Sequence, residues 1–307
     1  MKTKIALLLV VALLAALGWT FVKRPLAVPD GEAPSLPPVA TVAGVTFSVI
    51  RSADIASRAG FTVRGASLLE PTTTAVAAFV VEHPRGRFLI DAGTAQDIEA
   101  HLAETPLLSR VLSETTVRQP TVDALAQRGL APGDITGIIL THSHWDHTSG
   151  LADLRGVPVW MTPEELAFAR TDDMGVVFRQ IEAAGPIELR ELSFPDGAYG
   201  PFEASWDVFD DGSVVVVPMP GHTPGSVGVF LTDGSGKRAL LIGDTAWARE
   251  GVEWPAEKPW LARRIADHDA AQVRAQLVML HRLQRANPEL VIVPVHDPRV
   301  LDGVAAL

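Results

Sequence analysis

Short apolar runs recur along the chain and constrain its fold more than any other feature: VTFSVI (45–50), AVAAFVV (75–81), RFLIDAG (87–93), GIIL (137–140), VPVWM (157–161), SVVVVP (213–218), VGVFL (227–231), RALLIGD (238–244) and LVIVP (290–294). Most are bounded by Gly, Pro, Asp or Asn and are rich in Val and Ile, so they read as strands, several of them buried on both faces. Residues 95–104, 121–128, 162–170 and 261–286 read as helices. In the last, Leu261, Ile265, Val273, Leu277, Leu280 and Leu283 approximate one apolar face. Strands interleaved with helices predict an α/β layered domain. No short repeat and no second linker interrupts residues 45–307, which predicts one domain there.

Ahead of that domain stands MKTKIALLLVVALLAALGWTFVKRP, with two lysines before an unbroken apolar run from Ile5 to Leu17. This is the pattern of an export signal. Ala16 and Gly18 suit a cleavage site, whereas residues 5–22 are just long enough to span a bilayer, and basic residues on both flanks leave both readings open. Residues 1–22 are therefore expected to be a signal peptide or an N-terminal membrane anchor. Either places the protein in the periplasm or on the inner membrane facing it. Residues 23–44, rich in Pro and Gly, read as an extended linker.

A length of 307 residues with 47% hydrophobic and 20% charged content suffices for a full core. The net charge of -10 argues against nucleic acid as the main partner, because phosphate binding needs clustered Lys and Arg. The absence of cysteine excludes disulfides, thiolate nucleophiles and sulfur-ligated metals, so nitrogen and oxygen must hold any metal.

THSHWDH (141–147) puts three histidines and an aspartate into one short stretch directly after the GIIL run. In an extended segment His142 and His144 point the same way and can serve one ion. Asp146 and His147 sit past the bend, where HTSGLADL starts a helix, and can face a second. His222 follows SVVVVP within PMPGHTPGS, Asp244 ends ALLIGD, and His296 follows LVIVPV. Each closes an apolar run, where open α/β sheets place functional groups. Five histidines and two aspartates suit two divalent cations, zinc by default and iron or manganese as alternatives, with a carboxylate able to bridge. His83, His101, His268 and His281 lack such a cluster, and Asp91 in FLIDAG reads as a structural carboxylate bracing neighbouring loops.

On these residues the chain resembles the metallo-β-lactamase superfamily, whose H-x-H-x-D-H motif is matched by His142, His144, Asp146 and His147. The resemblance runs from Val45 to the C-terminus and implies a four-layer αββα sandwich with the metal site at one edge of its two sheets. It implies one metal on His142, His144 and His222, another on Asp146, His147 and His296, and Asp244 as the bridge. The stretch from FDDGSVVVVPMPGHTPGSVGVFL through LIGDTAW to PVHD is most similar to N-acyl-homoserine lactone lactonases. Those carry a tyrosine three residues after the bridging aspartate; here that position is Trp247, whose indole N–H can donate but not accept. The single tyrosine, Tyr199, is a candidate to take over the role, with a structural tyrosine as the competing reading.

The expected function is a dinuclear hydrolase that opens a lactone or ester, N-acyl-homoserine lactones among them, and so quenches a diffusible signal. Asp146 is the candidate proton shuttle. Trp247, Trp254 and Trp260 are candidates to shape an acyl pocket, with lid and core packing as the alternative. Competing readings are a hydrolase of thioesters, other esters or β-lactams, and a non-catalytic metal-binding protein. The lack of a basic C-terminal cluster disfavours glutathione thioesters. The sequence does not determine the oligomeric state.

Overall fold

The computed structural model describes residues 2–39, 41–105 and 114–305, so Met1, Ala40 of the linker and residues 106–113 and 306–307 of the domain lie outside the described residues. The first sheet contains β1 (Thr46–Arg58), β2 (Pro71–His83), β3 (Gly86–Ile90), β4 (Glu114–Val117), β5 (Gly137–Ile139), β6 (Val159–Met161) and β7 (Leu189–Glu191), in the order β4-β1-β2-β3-β5-β6-β7. The second contains β8 (Trp206–Asp207), β9 (Val214–Pro218), β10 (Val227–Thr232), β11 (Arg238–Leu241) and β12 (Val291–Val293), in the order β12-β11-β10-β9-β8.

Side chains alternate across a strand, and that period sorts the apolar residues into layers. Phe79 and Val81 of β2 share one core with Val214, Val216, Val229, Leu231, Leu241 and Val293 of the second sheet. Val80 turns the other way, into a cluster with Leu125, Phe178 and Ile181, which lie on helices packed outside the first sheet. On the second sheet Val215, Val217, Phe230 and Leu240 turn outward to meet Val273, Leu277, Leu280 and Leu283 of the helix Ala270–Ala286. The result is the expected αββα sandwich. Because β3, β5 and β6 run parallel, and β12 runs parallel to β11, the segments that leave β3, β5, β11 and β12 gather at one edge.

Local pattern and structure differ in three places. The segment 261–286 is two helices, Trp260–Ala266 and Ala270–Ala286, because Asp269 caps the second by accepting from the N–H groups of Ala271 and Gln272. Strands β4 and β7 are short, mostly exposed pieces and β8 is a half-buried pair of residues, with no apolar run to mark any of them. At the N-terminus the helix spans Lys2–Trp19 and ends before Val22, and among the described residues no helix is long and apolar enough to cross a membrane.

Residues 23–39 carry no regular secondary structure and are not free of the domain. Leu26 N–H donates to the Pro255 carbonyl at 2.8 Å, the Lys23 ammonium lies 3.5 Å from the Trp254 ring centroid, and Arg238 donates to the Pro37 carbonyl at 3.0 Å. Leu26 and Leu36 pack on the outer core beside the helix Ala270–Ala286.

Candidate metal centre

The edge where these strands end collects the predicted donors. Leaving β5, the chain runs through His142 to His144, which caps the short helix Trp145–Thr148, so Asp146 and His147 lie in that helix rather than ahead of it. His222 stands in the turn after β9, where Gly221 has φ +138° and any Cβ would meet the Val273 nitrogen at 2.8 Å. Asp244 follows β11 and His296 follows β12.

Donor atoms of His142, His144, His222 and Asp244 all lie within 4.8 Å of one another, and those of Asp146, His147 and His296 form a second such group. Asp244 reaches both. Its Oδ2 lies 3.4 Å from His222 Nε2 and 3.9 Å from His142 Nε2, while its Oδ1 lies 3.2 Å from His147 Nε2 and 2.9 Å from His296 Nε2. Asp146 Oδ2 lies 3.3 Å from His296 Nε2. His142 Nε2, His144 Nε2, His147 Nε2 and Asp244 Oδ1 are buried and have no hydrogen-bond partner. Burying unpaired polar atoms is costly, and nitrogen and carboxylate oxygen converging from two sides is the donor set of divalent cations. The residues therefore fit a two-metal group.

The electrostatics agree. Burial, reinforced by His147, holds His142 well below the ordinary histidine value, and burial with His222 does the same to His144, so both are neutral as ligation requires. Burial opposes a charge on His147, but Asp91, Asp146 and Asp244 outweigh it and raise His147 well above its ordinary value. Burial likewise opposes ionisation of Asp244, yet His296, His142 and His147 hold it well below the carboxylate range. This corner attracts positive charge, for which a proton and a metal ion compete.

The Nδ1 atoms of His147, His296 and His222 are held from behind. Asp91 Oδ2 meets His147 Nδ1 at 2.8 Å, and Asp91 also accepts from Thr141 N–H at 2.7 Å and from Thr141 Oγ1 at 2.9 Å. His296 Nδ1 donates to the Ala75 carbonyl at 2.6 Å, and His222 Nδ1 lies 2.9 Å from Asp267 Oδ1. Glu165, which is buried, accepts from Ser143 N–H at 2.7 Å, from the Ser143 hydroxyl at 2.6 Å and from the Thr223 hydroxyl at 2.5 Å, tying the His142–His144 stretch to the His222 turn. Such contacts fix the ring orientation of ligating histidines. Asp91 is the brace its strand-end position suggested, whereas Asp267 and Glu165 lie inside helix-like stretches that carry no sequence signal for this role.

A cavity of about 210 Å³ opens onto Asp146, Asp244, His144 and His296. Its apolar wall includes Ile55, Phe61, Met174, Leu261 and Ile265. Trp247 lines it too, and its indole N–H donates to Asp244 Oδ2 at 2.8 Å, so that donor is engaged by the carboxylate. Trp254 and Trp260 are not among the lining residues: Trp254 lies under Lys23, and Trp260 is 45% exposed. Nor does the structure bring Tyr199 to the cavity. Its ring packs 5.0 Å from that of Phe230 and its backbone pairs with Phe202, in the outer core of the second sheet.

The model of the metallo-beta-lactamase superfamily matches residues 71–296. A probable metallo-hydrolase of Mycobacterium tuberculosis is 30% identical over 236 residues, covering 71% of this chain and 73% of its own. The N-acyl homoserine lactonase AttM of Agrobacterium fabrum is 24% identical over 233 residues, covering 72% of this chain and 81% of its own. Among solved structures, an N-acyl homoserine lactone hydrolase with the product N-hexanoyl-L-homoserine bound at its catalytic metal centre superposes with a TM-score of 0.66 at 16% identity. That superposition covers 86% of this chain and 96% of the other, and the likeness is one of fold.

Proposed function

The chain belongs to the metallo-beta-lactamase superfamily, and on that premise we propose that it is a dizinc hydrolase that opens uncharged lactones or esters, N-acyl-homoserine lactones among them. One observation carries the choice of substrate. Apart from the donor cluster, the cavity lining is uncharged among the described residues: Ile55, Phe61, Trp145, Met174, Leu261 and Ile265 supply apolar surface, and no described Lys or Arg lines it. An acyl chain fits such a wall, whereas a glutathione thioester, a β-lactam carboxylate or a phosphodiester finds no counter-charge there.

Bound at the donor cluster, two divalent cations supply Lewis acidity toward a water and a carbonyl oxygen. The chain supplies the rest. His142, His144 and His222 would hold one ion, Asp146, His147 and His296 the other, with Asp244 between them. The Trp247 N–H steadies the Asp244 carboxylate. Asp146, which lines the cavity, can take the proton released by the attacking water and pass it to the departing alkoxide oxygen as the C–O bond breaks. The wall residues exclude water and orient the acyl group so that the carbonyl meets the cluster.

The test is a pH-stat assay of the full chain, with bound metal counted. The substrates are a short- and a long-chain acyl-homoserine lactone, a simple γ-lactone, a glutathione thioester and a β-lactam, with His142→Ala and Asp244→Asn assayed beside the wild type. Lactone opening that disappears in both variants is the expected result. Turnover of the charged thioester or the β-lactam without lactone opening would overturn it. Export is a further part of the proposal, supported by the lysines and apolar run of residues 1–22. Cell fractionation that recovers the protein only in the cytosol would remove that part.

A further inference from the structure

We propose that Lys258 is a positioning residue of the metal centre, acting through Asp267 on His222 and through the main chain of Asp244; this rests on the dinuclear reading above. Lys258 is only 3% exposed, and an ammonium group so far from water persists only where it is fully partnered. Its Nζ donates to Asp267 Oδ1 at 2.7 Å and to the Asp244 carbonyl at 2.7 Å, and lies 5.1 Å from the centroid of the Trp247 ring. All three groups belong to the centre. Asp267 stands behind His222, Asp244 lies between the two donor groups, and Trp247 holds the Asp244 carboxylate.

Lys258 is not among the residues lining the cavity, so it acts on the donors and not on the substrate. The segment that carries it is itself pinned, since Arg64 N–H donates to the Glu257 carbonyl at 2.9 Å and Leu26 N–H to that of Pro255 at 2.8 Å. The backbone closes the same contact from the other side: His268 N–H donates to the His222 carbonyl at 2.8 Å. Lys258 thus joins two ligands that reach the centre from different strands. Without its ammonium, the buried Asp267 carboxylate loses its cation, the Asp244 carbonyl loses a donor, and the His222 ring loses its fixed orientation.

The experiment measures zinc affinity by chelator competition for the wild type, Lys258→Met, Asp267→Asn and the double variant. Steady-state lactone kinetics and thermal melts of each protein accompany it. Each single variant is expected to weaken zinc binding about 10- to 100-fold. kcat should fall while KM changes little, because the cavity wall is untouched, and Lys258→Arg should recover part of the zinc affinity. The double variant should bind zinc no more weakly than the worse single one. A Lys258→Met protein that melts lower but binds zinc as tightly as wild type would show a purely structural lysine and overturn the proposal, as would additive losses in the double variant. If Lys258→Met does not fold, wild-type zinc affinity in Asp267→Asn overturns it equally. A wild type that holds fewer than two ions removes the dinuclear reading and this proposal with it, whereas two ions with an insensitive Lys258 removes the proposal alone.

Discussion

Replacing Asp91 by alanine tests whether the brace behind the metal centre is energetic or incidental. The carboxylate is fully buried and accepts from three donors: Thr141 N–H, Thr141 Oγ1 and His147 Nδ1. The Thr141 hydroxyl can turn to His142 Nδ1 at 3.2 Å, and His147 Nδ1 keeps only a long contact of 3.4 Å to Thr141 Oγ1, too weak to replace the carboxylate. Leaving a buried donor unpaired costs about 1–3 kcal/mol each, and relief of the carboxylate's own desolvation moves the total toward the low end. Asp91 also has φ +62°, a conformation that costs alanine about 1 kcal/mol more than it costs aspartate. The sum is a loss of about 3–6 kcal/mol, a large part of the roughly 5–15 kcal/mol that holds a typical domain folded. Urea denaturation of the metal-stripped protein measures it without ligand stabilisation masking the effect. Asp91→Gly should be less damaging than Asp91→Ala by about 1 kcal/mol, since glycine accepts positive φ freely. A loss below about 1 kcal/mol in Asp91→Ala, or a glycine variant no more stable than the alanine one, would refute the reasoning.

Trp247→Phe keeps the ring but removes the N–H that holds Asp244 Oδ2; kcat for lactone opening should fall about 10-fold or more with an unchanged melting temperature, as read from kinetics and calorimetry. Tyr199→Phe should leave kcat/KM within about twofold of wild type, because its ring packs on Phe230 away from the cavity; a large loss in the same assay would return Tyr199 to the catalytic candidates. Burial pushes the Asp211 carboxyl up, but hydrogen bonds from Ser213, Arg85 and His83 outweigh it and lower it from 3.8 to about 2. A carboxyl depressed in the folded state stabilises above its unfolded value and loses that contribution as pH falls through the folded one. The stability gap between wild type and Asp211→Asn should therefore be full above pH 4 and close as pH approaches 2, measured by melting curves across that range.

The donor set was legible because metal chemistry is written in residue type and spacing. His142, His144, Asp146 and His147 crowd one stretch, and His222, Asp244 and His296 each close an apolar run that proved to end in a β-strand. Supporting residues were not legible in the same way. Asp267 interrupts what reads as one amphipathic helix, and its contact with His222 joins positions 45 apart along the chain. Lys258 lies beside a proline in an irregular loop, and the segment 23–39 reads as a linker until its contacts with Pro255 and Trp254 are seen.

By itself the sequence determined the strand periodicity that sorts Phe79 from Val80, the layered class of the fold, and the chemistry of the ligands, since each depends on residue identity within a window of a few positions. Tertiary structure alone decided which groups stand behind those ligands and which surface faces them. Trp247 is turned to Asp244 while Trp254 is turned to Lys23, and Ile55 and Leu261, far apart in the chain, line one cavity. The physical reason is that a side chain's partner is set by packing between strands and helices far apart in the chain. Local pattern carries the identity of both partners, but not the long-range contacts that bring them together.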